Sequence, residues 1–303
     1  MRRLVLATFL ILLLPCWLSA REIVLDNGQI EVRLDTARYG GSISYLSLSG
    51  LGLNLVNTSD KGRLIQQSYY LGQDREMPGQ HRSWRPWPIN PIQGGDVYGT
   101  PARVIESESS RTMAYVKTAP KLWDLRNVEP PMTMEQWVLL DGYVVRVLVR
   151  FTAGPGAWER VPRHQEMPAV YIISWFDELH TYLGNRPWTN GRTTKITRKP
   201  LANDPNFPWN HWPSELYPGQ TENWAAVINS GNQLGVGVIF PDVELFVGGL
   251  HGRTGQLSNS ASTMYVAPLR TLDIRPGEVV EYQYELMIGS LQDIRKHAYT
   301  RRR

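Results

Sequence analysis

"MTMEQWVLLDGYVVRVLVRF", residues 132–151, decides the fold. Apolar and polar side chains alternate on both sides of Asp141-Gly142, which is the period of a half-buried strand and not of a helix. An Asp-Gly step between two such runs is a strong hairpin signal, because glycine admits the positive φ that a tight, twisted turn demands. Both arms are long. A long hairpin with one apolar face needs a second apolar layer to cover it, and a second sheet is the simplest cover.

The same period recurs outward in both directions. "IVLDNGQIEVRLD" (23–35) reads as two short strands around Asn27-Gly28, and "SISYLSLSG" (42–50) alternates cleanly. "ENWAAVINSGNQLGVGVIFP" (222–241) predicts two strands around "SGNQ". "TLDIRPGEVVEYQYELMIG" (271–289) predicts a further pair around Pro276-Gly277. Helical periodicity is confined to short stretches, "SWFDELHTYLG" (174–184) and the tail "SLQDIRKHAY" (290–299). The expected fold class is all-β, a large antiparallel β-sandwich.

Two irregular stretches break the pattern, residues 71–101 and 183–221. Loops of this length are functional or disordered. Disordered chain is poor in aromatics, whereas these carry Trp84, Trp87, Tyr98, Trp188, Trp209 and Trp212. They are expected to be ordered aromatic loops on one domain spanning residues 21–303.

The first twenty residues, "MRRLVLATFLILLLPCWLSA", have the basic start, apolar middle and small-residue end of a secretory signal. Their apolar run is too short for comfortable bilayer spanning. Cys16 is the only cysteine and would leave with that signal, so the mature chain has no disulfide and rests on its apolar core. A secreted or periplasmic protein without stable membrane insertion is expected. Without Arg2 and Arg3 the balance is 30 basic to 28 acidic residues, with cations gathered in the tail "RKHAYTRRR" (295–303). Such a body gives no field for nucleic acid. Nothing in the sequence fixes the oligomeric state.

"RYGGSISYLSLSGLGLNLVNTSDKGRLIQQSYY" (38–70) resembles the opening of the galactose-mutarotase-like β-supersandwich proteins: a Gly-Gly turn, a strand, "NLVN", then "GR" and a glutamine-bearing strand. "APLRTLDIRPGEVVEYQYELMIGS" (267–290) resembles their closing strands. That superfamily includes aldose epimerases, the β-domains of polysaccharide lyases and some glycoside hydrolase domains. The resemblance implies a carbohydrate ligand on the concave face of the sandwich. No histidine motif of the family aligns, so none of its catalytic residues is carried over.

Candidate site residues follow from the pattern. His164 and Glu166 in "PRHQEMPAVY" (162–171) are two apart and share a strand face, where an imidazole and a carboxyl could act as acid and base. They could equally be an ion pair at a strand start, with Pro168 marking a bulge. In "GRLIQQSYY" (62–70), Arg63, Gln67 and Tyr69 are expected on one face as sugar contacts. The loop "WRPWPINPIQGGD" (84–96) offers Trp84, Trp87, Asn90, Gln93 and Asp96, and "PWNHWPSE" (208–215) offers Trp209, His211 and Trp212. His81 and His251 are further loop histidines. No zinc, calcium, phosphate-loop or serine-nucleophile motif occurs, so no metal or cofactor is expected. A carbohydrate-active enzyme (hydrolase, lyase or epimerase) and a non-catalytic carbohydrate-binding protein both fit this inventory.

Overall fold

The computed structural model describes residues 22–197, 210–212 and 219–302. The signal-like segment and Trp209 lie outside the described residues, and for His211 and Trp212 only the strand they occupy is described.

Among the described residues, two large antiparallel sheets of ten and nine strands are formed. In spatial order the first runs Glu22–Asp26, Ile30–Asp35, Ile43–Leu48, Ile65–Ser68, Arg163–Ile173, Thr263–Leu272, Leu245–His251 and Asn210–Trp212, with Pro91–Ile92 and Lys121–Leu122 branching from Ile65–Ser68. The second runs Thr194–Ile196, Glu178–Thr181, Trp224–Ile228, Gly235–Ile239, Val279–Gly289, Val144–Thr152, Thr133–Asp141, Met113–Ala119 and Arg103–Ser109. The all-β expectation holds.

Strand alternation builds the core. Val145, Val147, Val149 and Phe151 point inward from the second sheet into one apolar cluster with Leu34, Ile43, Ile65, Val170 and Ile172 of the first. Each such side chain contributes roughly 1.5–3 kcal/mol by leaving water. Between them Arg146, Leu148 and Arg150 point outward, as the period of two requires.

The predicted hairpin at 132–151 forms, with one adjustment. Asp141 pairs with Val144, so the connection is Gly142-Tyr143, with Gly142 at φ +59°. Two other expectations fail. Residues 174–184 hold the strand Glu178–Thr181 and no helix, because Leu179 faces the core while Glu178 and His180 pair with each other on the outside. The strands flanking Pro276-Gly277 do not pair. Thr263–Leu272 belongs to the first sheet and Val279–Gly289 to the second, so this turn carries the chain from one layer to the other. A turn signal names the bend but not the partner of either arm.

The tail does form a helix, Leu291–Tyr299, opened by a capping box between Ser290 and Asp293. It seats Ile294 and Ala298 on the outer face of the second sheet with Trp224, Ala226, Ile228 and Ile239. Gly237 permits that approach, since a Cβ there would stand 2.3 Å from Cγ2 of Ile294. The helix covers one part of this face; the strands from Val144–Thr152 to Arg103–Ser109 make no comparable contact with it.

Candidate functional site

The strand Arg163–Ile173 lies mid-sheet, between Ile65–Ser68 and Thr263–Leu272. Its register slips against both neighbours just after Glu166, at the proline the sequence marks as a possible bulge. Met167, Val170 and Ile172 face the core, and Glu166 and Tyr171 emerge on the outer face of the first sheet. Here they enter a cleft of about 470 Å³, within the range of small-molecule sites.

Glu166 is the centre of the floor. The Tyr265 hydroxyl donates to its Oε1, and the hydroxyls of Tyr70 and Ser68 also bond its carboxyl. No cation pairs with it among the described residues. Burial therefore lifts this carboxyl above the ordinary glutamate range, with the three hydroxyls pulling it partly back. Burial, reinforced by the Glu166 charge, raises Tyr70 and Tyr265 well above the usual tyrosine range, so both remain proton donors. Tyr171 stacks on Tyr265 with centroids 4.5 Å apart and continues the floor.

At the far end stand Arg63, Asp60 and His251. Arg63 donates to the carbonyl of Ala261, and its Nε lies 3.3 Å from Asp60. Glu166 is opposite Leu269 and His251 opposite Thr263, so their backbones are about 20 Å apart along the floor at ~3.3 Å per residue. Tyr265 and Tyr171 fill the space between.

Tryptophans wall the cleft. Trp84 sits edge-on to Trp87 at 4.9 Å and to Trp123 at 5.8 Å. Trp87 is fixed by its indole N–H, which donates to Asn90 Oδ1 at 3.2 Å, while Asn90 Nδ2 donates to the Tyr69 carbonyl at 2.7 Å. The 71–101 stretch is thus ordered, with a 3-10 turn at Arg82–Trp84 and short strands on either side.

The cleft brings together Arg63, Trp84, Trp87, Asn90 and Glu166 of the residues predicted from sequence, and His251 of the weaker histidines. It does not include His164. That side chain is exposed, with Nδ1 3.2 Å from Thr271 Oγ1, while the Glu166 carboxyl bonds Tyr265, Tyr70 and Ser68, so among the described residues the two side chains engage different partners. Gln67 and Tyr69 point the opposite way. Leu64 adopts φ +85° and both Leu64 and Ile65 turn into the core, which breaks the alternation and leaves Arg63 on the face of Ser68 and Tyr70. Gln67 Nε2 donates to the Glu135 carbonyl on the other sheet at 3.1 Å, and Tyr69 stacks on Phe151 at 4.0 Å.

Gln93 and Asp96 are fully buried. Gln93 accepts from the Gln67 amide, and Asp96 caps a turn by accepting from the amides of Tyr98, Thr100 and Asn127. His81 likewise caps the 3-10 turn. Sequence inspection missed Ser68, Tyr70, Trp123, Tyr171 and Tyr265. Their one local signal was the outward phase of Ser68 and Tyr70, hidden by the break at Leu64.

Two apposed antiparallel sheets, with an aromatic-walled cleft on the outer face of one, define a large β-sandwich with a ligand-sized site. Its fold is the galactose-mutarotase-like one. The chain is similar to a galactose mutarotase-like protein from Lactobacillus casei, with 12% identity over 88% of this chain and 100% of that one and a TM-score of 0.52. It is also similar to the Slr1438 protein from Synechocystis sp., with 11% identity over 89% and 96% of the two chains and a TM-score of 0.50. No protein-family model and no curated protein sequence matches the chain. At these identities the likeness establishes the fold.

Proposed function

We propose that this chain is an exported carbohydrate-active enzyme in which Glu166 moves a proton on a bound sugar. The observation that carries the proposal is a carboxyl without a cationic partner among the described residues, raised by burial and set beneath a wall of three tryptophans. Indole faces suit the C–H faces of a pyranose, and the surrounding hydroxyl, guanidinium and amide groups suit its oxygens. A carboxyl that burial raises above the ordinary glutamate range is a better proton acceptor once ionised. The name of the Lactobacillus relative points the same way.

Two-carboxylate glycoside hydrolysis needs a pair of carboxyls flanking one bond. The cleft offers Glu166 at one end and Asp60, already paired with Arg63, at the other. That arrangement favours epimerisation or elimination, with Glu166 accepting the proton and a protonated cleft hydroxyl returning one. His251, about 20 Å along the floor from Glu166, serves as a binding contact and not as the acid–base partner expected of His164.

The test is turnover of a saccharide panel by wild type and Glu166→Gln, followed by polarimetry, ultraviolet absorbance and reducing-end release. A loss of ~10²–10⁴-fold in the variant, with sugar retention preserved, is expected. If neither protein turns over any sugar and both are retained equally on polysaccharide gels, the chain is a carbohydrate-binding protein. That second reading has its own support: three hydroxyls already occupy the Glu166 carboxyl.

A further inference from the structure

The outer face of the second sheet carries a second aromatic site on the opposite layer from the cleft. Two depressions of about 370 and 400 Å³ meet at Met113 and Trp137. Pairing register aligns Glu108, Tyr115, Trp137, Leu148 and Gln283 in one row across five successive strands. Four interstrand spacings of ~4.8 Å give that row a length of ~19 Å. Tyr115 and Trp137 lie 5.0 Å apart at 33°, and the Arg150 guanidinium sits 5.6 Å from the Trp137 ring. The rings are therefore held in place rather than swinging in solvent. The C-terminal helix stops short of this row, and Arg301, just beyond the helix, borders it.

Most of the flanking charges are paired, while Glu106 and Glu108 at the outer edge have no ion pair among the described residues. On one side Arg150 pairs with Glu281 at 2.6 Å and Lys117 lies 3.9 Å from Glu135. On the other, Arg146 pairs with Asp141 at 2.6 Å and Glu285 at 3.1 Å, and Arg301 pairs with Glu285 at 3.0 Å. A row with a ring platform, an exposed amide at Gln283 and carboxylates at one end that repel anions and accept from hydroxyls fits an uncharged, polyhydroxylated chain better than a polyanion or an acidic peptide.

We infer that this row is a binding surface for a neutral oligosaccharide, laid across the strands with one sugar ring on Trp137. It holds a glycan independently of the cleft and does not depend on Glu166 chemistry. Calorimetry and affinity electrophoresis with cellohexaose, xylohexaose, mannohexaose and maltohexaose test it, using a cleft-disabled Trp84→Ala/Trp87→Ala protein. That protein should keep affinity for at least one hexasaccharide. Adding Trp137→Ala should weaken the remainder at least ~10-fold, and Gln283→Ala, at an exposed position, should weaken it by a smaller factor without affecting folding.

Four results would overturn the inference. Two are wild type binding no hexasaccharide and the cleft-disabled protein losing all binding. A third is residual affinity indifferent to both Trp137→Ala and Gln283→Ala. The fourth is a dimer in light scattering that Trp137→Ala dissolves, which would make the face a contact between copies of the chain. A failed cleft proposal looks different, since wild type and the cleft-disabled protein would then bind equally.

Discussion

Tyr265 donates its hydroxyl to Glu166 although Glu166 stands opposite Leu269, four residues away on the neighbouring strand. The register slip at Glu166 and the length of the tyrosine side chain together make the contact. It joins the cleft's titratable carboxyl to a donor that stays protonated.

Removing that donor should move the pH profile in a defined direction. Burial raises the Glu166 carboxyl, and the Tyr265 bond is the largest influence lowering it again. In Tyr265→Phe the carboxyl therefore titrates higher. If the ionised form is the base, activity grows as pH rises through this pKa, so the acid limb of kcat/KM should shift upward in the variant. An unmoved or downward-shifted limb would mean that another group titrates there.

Gly62 tests the wall without touching a sugar contact. A Cβ at this position would stand 2.6 Å from Cη2 of Trp123, and the ring must yield. Gly62→Ala should raise KM several-fold while kcat changes little, because the wall supports binding and leaves the Glu166 hydroxyl cluster intact. Equal loss in kcat alone would place Trp123 closer to the chemistry than the wall geometry allows.

The C-terminal helix is fastened by a buried pair. Arg295 donates to both oxygens of Glu222 at 2.9 and 3.0 Å, and Trp224 Nε1 and the Trp188 amide add bonds of 2.7 and 2.8 Å. Burial opposes ionisation of Glu222, yet Arg295, Trp224 and Trp188 outweigh it and hold the carboxyl below its usual range. Its contribution to stability is thus complete above the unfolded value of about 4.3 and fades as pH falls toward the lower folded value. Arg295→Met, which strands a buried carboxylate, should cost about 3–5 kcal/mol in urea unfolding at pH 7. A change under 1 kcal/mol would show that the pair contributes little to the fold.

Much of the sandwich was legible because it is written locally. Asn27-Gly28, Asp141-Gly142 and "SGNQ" each join strands that do pair, and inward valines from Val145 to Val149 mark the core face. Pro276-Gly277 misled because its flanking strands find partners in different sheets. The cleft was less legible. Glu166 was visible, but its partner Tyr265 lies 99 residues away, and only the register brings them together. Asp96 and Gln93 have the side chains of a sugar clamp, yet nearby backbone amides claim them first. Sequence gives donors and acceptors, and burial decides whom they serve.

The two histidines make the sharpest contrast. His164 is two residues from Glu166, exposed, and engaged with Thr271 outside the cleft. His251 is remote in sequence but lines the cleft beyond Tyr171 and Tyr265, at the end held by Arg63. On the proposed reading, a sugar that lies along the floor from Glu166 toward His251 runs away from His164, which stands opposite Thr271 on the far side of Glu166. His164→Ala should therefore leave kcat and KM within about two-fold of wild type, as surface changes usually do. His251→Ala should raise KM about ten-fold, the effect of losing a polar contact at a binding site. Initial rates across a substrate series check both on one preparation. Loss of activity in His164→Ala with His251→Ala unaffected would put the reacting bond at the cleft's other rim and remove the tyrosine floor from the substrate path.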